Sequence, residues 1–353
     1  MSKAVWGIVA VTVLGGLLRF YRYDALSLWL DEGYTVLFSR QPWADVLGLH
    51  GAADPSHPPG YYAAVAALRL LLPDLVAGRL LSVVAGTLTI PALYALARRL
   101  LPASAALLAS LTLALSPLHY WYSQEARQYA VTSLAVALSY LALVLLGQGG
   151  GRRAVAGYIV ATVAALYLDY SAAYALLPQA LIFAYLLWRD RSLLRRLSAA
   201  AGGVILGYLP WLPQALTGAG LHTFYQPAFL MATPGQIGEA ALAVTGVSFR
   251  SGFNPQPPPA GLWDLGSGGQ LVAGLLLVGI VALGVVGLRR AGGMAALVAG
   301  CLGLGTPAVA ALTSLISPGF APRTVIYAAL GWALLVGATV VALPAVGWRR
   351  WWR

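Results

Sequence analysis

The sequence predicts an all-α polytopic membrane protein, and three observations support this fold class. Hydrophobic residues make up 59% of the 353 positions and charged residues only 9%, and the mean hydropathy is +0.77. Apolar runs recur at lengths of about 20 residues, the length of helix that crosses a hydrocarbon core of about 30 Å. Backbone groups in lipid need partners within the spanning segment, so these unbroken runs predict helices and not a barrel.

The apolar runs predict about ten transmembrane helices. The first is expected to be a retained signal anchor, because it lacks a small-residue cleavage site. The predicted spans are roughly 4–19, 75–97, 103–120, 129–147, 154–170, 172–188, 198–216, 270–288, 292–316 and 324–346.

The charge distribution predicts the orientation of these spans. Short basic loops occur at every second turn, which indicates a cytoplasmic location for them and for both termini. In this topology the cytoplasmic side has a net charge of +13 and the outer side −2, consistent with +11 for the whole chain. Ten of the eleven acidic residues then lie outside. We therefore predict a protein of the plasma (cytoplasmic) membrane that contacts membrane lipids and has its active site at the extracytoplasmic face. Nucleic-acid binding is not expected, because the sequence has no soluble basic face with interleaved aromatic residues.

Residues 57–73 are apolar but do not fit this alternation, since a span here would invert every later basic loop. They are predicted to form an amphipathic helix on the outer surface, within a long external loop over 19–74. The chain then divides into a catalytic transmembrane module at 1–216 and a second part at 217–353. That second part begins with an external loop at 217–269, with a short helix near 234–246, and ends in WRRWWR, an expected anchor to anionic lipid.

Asp31 and Glu32 form an acidic pair just after the first span. A charged group inside hydrocarbon is costly, so an enzyme that acts on membrane lipids is expected to hold its carboxylates at this boundary. One carboxylate held by a nearby cation and one left solvated would provide a general base. The alternative is an acidic pair that begins a surface helix.

The segment HPPGYY predicts a rigid start to the surface helix, because each proline fixes φ and favours an extended residue before it. His57 is a candidate ligand for phosphate, acceptor or metal, with Tyr61 and Tyr62 beside it. No metal-ligand spacing surrounds His57, so a structural hydrogen-bonding role is an equal alternative.

The outer turn between the third and fourth predicted spans, YSQEARQY, is dense in polar groups. Its candidates are Tyr122, Glu125 and Arg127. Glu125 and Arg127 either pair with each other, or Arg127 neutralises a phosphate while Glu125 orients a sugar hydroxyl.

Two further outer-edge sites are Asp169-Tyr170 and Arg323. Arg323 is the only charged residue between Arg290 and Arg349, so it needs an anionic partner, either a phosphate or a protein acid such as Asp169. Asp169 is alternatively a helix-end residue, and the same ambiguity applies to Arg79.

Together, the DE pair at 31–32, HPPGYY at 57–62 and YSQEARQYA at 122–130 resemble the GT-C membrane glycosyltransferases, in particular the family 39-like branch. That branch includes protein O-mannosyltransferases and the aminoarabinose and galacturonic acid transferases of lipopolysaccharide. The similarity covers roughly residues 1–215. It implies a polyprenyl-phosphate sugar donor, Asp31 as base for the acceptor hydroxyl, Glu32 beside it, and Glu125 at a position where relatives often have aspartate.

Inverting transfer needs a carboxylate on one face of the anomeric carbon and stabilisation of the departing phosphate on the other. One or two arginines are expected to supply the second, so no cofactor is obligatory and a divalent metal ion is the alternative. The acceptor is expected to be a lipid, a glycan or a protein. From the resemblance, the chain is also expected to lack the large C-terminal outer domain of many relatives. The competing hypotheses are a flippase for lipid-linked sugars, or another transporter, and a noncatalytic scaffold. A transporter usually has ionisable groups at mid-membrane, which the predicted spans lack.

Overall fold

The computed structural model describes residues 2–25, 27–51, 54, 56–216, 232–246, 267–316 and 319–343, with side chains of 267–274 excluded. Throughout these residues the secondary structure is helical and contains no strand. The all-α fold class is therefore confirmed. Most of the predicted loop at 217–269, with His222, and the WRRWWR tail lie outside the described part.

The helices follow the predicted order. They are α1 Lys3–Phe20, α2 Leu30–Ser39, α3 Trp43–Val46, α4 Gly60–Leu68, α5 Asp74–Leu100, α6 Ala103–Ala114, α7 Pro117–Gln124, α8 Tyr129–Gly147, α9 Arg152–Leu168, α10 Ala172–Leu176, α11 Gln179–Arg189, α12 Leu194–Tyr208, α13 Pro234–Thr245, α14 Ser267–Ala291, α15 Gly293–Gly300, α16 Thr306–Ser314 and α17 Ala328–Ala342. A π-helical turn, Cys301–Gly305, joins α15 to α16, and a 3-10 turn, Pro322–Val325, precedes α17.

The number of spans differs from the prediction. Within the described residues, five helical segments are long and apolar enough to cross a membrane, or six if the bent pair α6 and α7 counts as one. The count of about ten is not confirmed. Several predicted spans are shorter or interrupted: α9, α12 and α17 have 17, 15 and 15 residues. The segment Ala172–Arg189 is divided by Pro178 between α10 and α11.

The long helix α5 is the centre of the N-terminal half, where it packs against α1, α6 and α8. Helix α8 also packs on α9, and α9 on α12. The C-terminal helices α14 and α17 pack against each other, and α17 joins them to the rest by packing on α6. One continuous apolar core runs through these helices, and it contains mostly alanine and leucine.

The predicted surface segment contains the nine-residue helix α4. At 1.5 Å per residue it is roughly 14 Å long, too short to cross the hydrocarbon core. It begins directly after Pro58-Pro59, and Tyr61, Tyr62, Val65 and Ala66 form its buried face. The short helix expected near 234–246 is also present, as α13, with a Thr233–Gln236 capping box.

A break between α6 and α7 replaces the single span predicted at 103–120, and the two helices are bent by 54°. Ser116 precedes Pro117, adopts an extended conformation and caps α7 by accepting from His119 N–H. Pro117 has no N–H for the carbonyl of Leu113. Arg19 donates to that carbonyl at 3.2 Å and to the carbonyl of Ala114 at 3.0 Å, so its buried guanidinium satisfies the broken helix end.

Arg19 therefore belongs to the helical bundle, since α1 continues to Phe20. Its side chain is fully buried and also contacts Ser123 and His119. By joining α1 to α7, Arg19 helps to place the polar turn at 125–128 that follows α7.

Candidate active site

Acidic and basic side chains from five separate segments meet at one end of the bundle. They come from the first turn of α2, the loop before α4, the start of α5, the turn 125–128 between α7 and α8, and the 3-10 turn before α17. The basic residues Arg98, Arg99, Arg152 and Arg153 lie at the opposite ends of α5 and α9. The structure thus separates the acidic cluster from the basic loops along the length of the helices.

Glu32 forms the most buried ion pair of the cluster. Its carboxylate accepts from Arg79 Nε at 2.8 Å and Nη2 at 2.6 Å, and the two side chains are only 1% and 3% exposed. Glu32 Oε1 also accepts the backbone N–H of Ala126 at 2.8 Å. Glu32 therefore ties α2 to α5 and to the 125–128 turn, an arrangement that leaves it poorly placed to accept a proton from a substrate.

A glycine on α5 allows this turn to approach. A Cβ built on Gly78 would lie 2.7 Å from the Cβ of Ala126, closer than two carbons can pack. Because Ala126 donates to Glu32, the absence of a side chain at position 78 contributes directly to the geometry of the cluster.

Asp31 pairs with a different arginine from its neighbour Glu32 and remains partly accessible. Its Oδ2 accepts from Arg323 Nη1 at 3.0 Å, with the two side chains 21% and 17% exposed. Arg127 Nη1 donates to the backbone carbonyl of Asp31 at 3.3 Å. Asp31 is thus a reachable carboxylate with two guanidinium groups beside it, whereas Glu32 is enclosed.

A second polar chain leads away from Arg127. Its Nη2 contacts His57 Nε2 at 2.9 Å, and His57 Nδ1 contacts Asp54 Oδ2 at 2.8 Å. Tyr62 donates its hydroxyl to the same Asp54 oxygen at 2.6 Å. Burial alone would raise the pKa of Asp54, but the hydrogen bonds from His57, Tyr62 and Ser56 lower it to about 2.

These contacts fix the protonation pattern of His57. An arginine can only donate, so Nε2 accepts from Arg127 and the proton lies on Nδ1, where it is donated to Asp54. His57 therefore links Asp54 to Arg127 and orients the Arg127 guanidinium.

Glu125 is buried and has an unusual electrostatic environment. Its Oε1 accepts from Trp121 Nε1 at 2.8 Å. Burial and the nearby charge of Glu32 raise its pKa to about 8, although the Trp121 hydrogen bond and the charge of Arg323 act in the opposite direction. At neutral pH the carboxyl is mostly protonated, so Glu125 can donate a hydrogen bond from a position where sequence suggested a carboxylate.

Several buried polar atoms here have no hydrogen-bond partner among the described residues. They include Trp29 Nε1, Glu125 Oε2, Arg127 Nε and Gln128 Nε2. Buried polar groups in folded proteins are nearly always paired, and each exception needs an explanation. Three of these four atoms belong to the turn 125–128, so a bound polar ligand at this turn would supply the missing partners.

Aromatic hydroxyls surround the charged groups. Tyr122 and Tyr129 pack edge to face, with ring centroids 5.1 Å apart. Asp169 accepts from the hydroxyl of Tyr327 at 3.2 Å and from Ser171 N–H at 2.9 Å. Asp169 is therefore a helix-end residue that anchors Tyr327, and Arg323 has Asp31 as its partner instead.

Two predicted binding tyrosines are directed elsewhere. Tyr61 is 1% exposed, and its hydroxyl donates to the carbonyl of Gly78 and contacts Ser82, which gives it a packing role. Tyr170 accepts from Trp211 Nε1 at 3.1 Å. Glu125 and Arg127 also do not pair with each other, which was the alternative prediction. Glu125 instead accepts from Trp121, and Arg127 contacts His57.

Sequence reasoning missed four contributors: Asp54, Trp29, Trp121 and Tyr327. Asp54 had a usable signal, since it lies three residues before His57 and was the nearest acid to it. Tyr327 and the two tryptophans had none, because aromatic residues are common throughout the chain. Among the described residues, no group of three or more His, Cys, Asp or Glu side chains could hold a metal ion.

Comparisons with known proteins bear on this arrangement. Residues 56–214 match the family model described as dolichyl-phosphate-mannose-protein mannosyltransferase. The fold matches the crystal structure of ArnT from Cupriavidus metallidurans in the apo state, with a TM-score of 0.66 and 19% identity over 99% of this chain. The chain therefore has the fold of ArnT. The resemblance predicted from its three motifs is confirmed.

Other structures support the same fold. ArnT bound to undecaprenyl phosphate aligns with a TM-score of 0.65 and 18% identity over 99% of this chain. The oligosaccharyltransferase of Archaeoglobus fulgidus aligns with a TM-score of 0.55 and 13% identity over 95% of this chain and 50% of its own. The chain spans 62% of the length of the two ArnT structures. A sequence comparison with curated proteins gives no significant match.

Proposed function

We propose that this protein is an inverting glycosyltransferase of the GT-C type, which moves a sugar from a polyprenyl-phosphate donor to an acceptor hydroxyl. The observation that carries the proposal is the accessible carboxylate of Asp31 beside Arg323 and Arg127, next to buried polar atoms without partners. Two structural neighbours hold lipid phosphates: ArnT binds undecaprenyl phosphate, and the archaeal oligosaccharyltransferase AglB binds a dolichol-phosphate. These support a lipid-linked phosphate as the donor class.

In the proposed reaction the acceptor oxygen attacks the anomeric carbon while the bond from that carbon to the phosphate oxygen breaks. Asp31 takes the proton of the acceptor hydroxyl, and the electron pair of the broken bond leaves with polyprenyl phosphate. Attack opposite the leaving group inverts the anomeric configuration. Guanidinium groups stabilise the charge that develops on the phosphate, because charge-assisted and bidentate hydrogen bonds are the strong ones.

The remaining residues receive distinct roles in this proposal. Arg323 neutralises Asp31 in the empty site and turns to the donor phosphate when it binds, which frees the carboxylate to act as base. His57 orients Arg127 towards the phosphate. Protonated Glu125 donates to a phosphate oxygen or a sugar hydroxyl, and Glu32 holds the site together through Arg79.

The position of the cluster supports an extracytoplasmic active site. Basic loops favour the cytoplasmic face, and the acidic cluster lies at the opposite helix ends. In this orientation a lipid-linked donor in the outer leaflet reaches the cluster at the membrane boundary. The same rule supports cytoplasmic termini, and the plasma membrane is the proposed location.

The phosphate role is tested by Arg323→Ala. We expect a donor KM raised by about tenfold or more, because a hydrogen bond to a charged group is worth about 1.5–3 kcal/mol. Arg323→Lys should recover only part of the loss, since lysine lacks the planar fork. Steady-state transfer with varied donor is the measurement.

Arg40→Ala is the matched control for this test. Arg40 is more exposed and pairs with Asp74 outside the acidic cluster, so its loss should leave the donor KM unchanged. A donor KM in Arg323→Ala equal to that of the control would remove Arg323 from the phosphate site.

The role of Glu125 is tested by its pH dependence. With a pKa of about 8, the carboxyl loses its proton as the pH rises through that value, and donation from Oε2 is lost. We expect wild-type kcat/KM to fall above about pH 8, and Glu125→Gln, which always carries donor hydrogens, to keep activity at pH 7 and lack that decline. If Glu125→Gln instead loses its activity at pH 7 while remaining folded, Glu125 acts as a carboxylate and the proposed donor role is wrong.

A further inference from the structure

A cavity of about 460 Å³ opens at the basic end of the bundle, opposite the acidic cluster. The ends of α5, α8 and α11 meet there with the start of α15, and Arg99 and Arg189 line it from separate helices. Gln148 lies between them and donates to the carbonyl of Arg99 at 3.0 Å. The cavity shares no residue with the candidate active site.

The lining presents hydrogen-bond donors from several directions. Arg189 donates to the hydroxyl of Tyr185 at 3.1 Å and lies 5.8 Å from the centroid of the same ring, so its guanidinium is held in place. Gly293, Met294 and Ala295 form the first turn of α15, whose N–H groups have no acceptors within the helix. Two guanidinium groups and these backbone donors together favour an anion.

The absence of a side chain at position 293 leaves space in this cavity. A Cβ built on Gly293 would lie 3.0 Å from the hydroxyl of Tyr185, so a side chain at this position would press on Tyr185 and narrow the space between α11 and α15. Asp190 also lines the cavity, but its carboxylate accepts from the N–H of Ser192 at 2.9 Å and caps the 3-10 turn at 191–193. The lining thus keeps an excess of positive charge.

Arginines at helix C-termini on a cytoplasmic face have a simpler explanation, because they complement the helix dipole and set the topology. The topology part of that explanation covers Arg98, Arg152 and Arg195 equally well, although Arg152 and Arg195 lie at helix starts and not at C-termini. It does not account for a cavity between two of the arginines, nor for the convergence of Tyr185 and a helix start on the same space.

We propose that this cavity binds a phosphate-bearing anion, of the size of the glycerol phosphate headgroup of an anionic lipid. Its volume falls in the range of small-ligand sites, about 300–1,000 Å³. The lipid headgroup and a soluble phosphate ester share this chemistry. The proposal is independent of glycosyl transfer, because none of the residues involved belongs to the acidic cluster.

The test is binding of phosphatidylglycerol and of glycerol phosphate to the purified full chain in detergent, measured by native mass spectrometry. We expect Arg99→Gln combined with Arg189→Gln to weaken binding by about tenfold or more, since two charge-assisted contacts are lost. Gly293→Ala should also weaken it while every charge is kept. Arg195→Gln removes an exposed arginine of the same face outside the cavity and should bind like the wild type.

The two ligands distinguish the source of the phosphate. Binding of phosphatidylglycerol alone points to a lipid, and equal binding of glycerol phosphate points to a soluble ester. Wild-type ligand binding in both the double variant and Gly293→Ala would overturn the proposal. A loss of binding in Arg195→Gln as large as that in the double variant would also overturn it, because it would show an effect of the general charge of that face. A melting curve of each variant identifies loss of folding. If the double variant does not fold, ligand binding by Gly293→Ala decides whether the proposal holds.

Discussion

Asp31→Asn is expected to lower kcat by about 10²- to 10⁴-fold, the usual contribution of a general base. Asparagine retains the shape of the side chain and can still accept a hydrogen bond from Arg323, but it cannot take a proton from the acceptor. Donor binding should therefore persist while transfer is lost. Purified enzyme assayed with donor and acceptor, together with a separate donor-binding measurement, distinguishes these two effects.

Asp45→Asn is the matched control for Asp31→Asn. Asp45 lies in the same external region, and its carboxylate pairs with His50 outside the cluster, with its side chain 35% exposed. Neutralising it should change transfer little. A folded Asp31→Asn protein that binds donor and transfers sugar within a few-fold of the control would exclude Asp31 as the base.

The acidic pair could be identified from the sequence, but the different burial and arginine partners of its two members could not. Glu32 is buried by Arg79, which is 47 positions away, and Asp31 meets Arg323 across 292 positions. Such separations exceed any local periodicity. Arg79 and Arg323 were recognisable as lone charges near helix ends. Their partners were not, because they depend on how α5 and α17 pack around α6.

Helix existence was predictable because apolar length and charge alternation are local properties. The positions at which helices are interrupted were less predictable, although two prolines provided a signal. Pro117 follows the break between α6 and α7, and Pro307 lies at the start of α16, beyond the π-helical turn. The pKa of Glu125 was out of reach of sequence reasoning, because it depends on burial and on the proximity of Glu32 in space.

Breaking the ion pair of Glu32 and Arg79 is expected to have the largest single effect on the stability of the site. Arg79→Met should lower the free energy of unfolding by about 3–5 kcal/mol, because it leaves the buried carboxylate of Glu32 without its cation. Arg40→Ala, which removes a more exposed pair with Asp74, should cost about 0–1 kcal/mol. Denaturant titration of each purified variant in detergent gives the comparison.

A double variant separates the cost of a buried unpaired charge from the net value of the pair. Glu32→Leu combined with Arg79→Met removes both charges, so it should be more stable than Arg79→Met alone. It should nevertheless have little transferase activity, since Glu32 also accepts the N–H of Ala126 and thereby positions the 125–128 turn. A double variant with stability restored and wild-type turnover would show that the pair does not position this turn for catalysis.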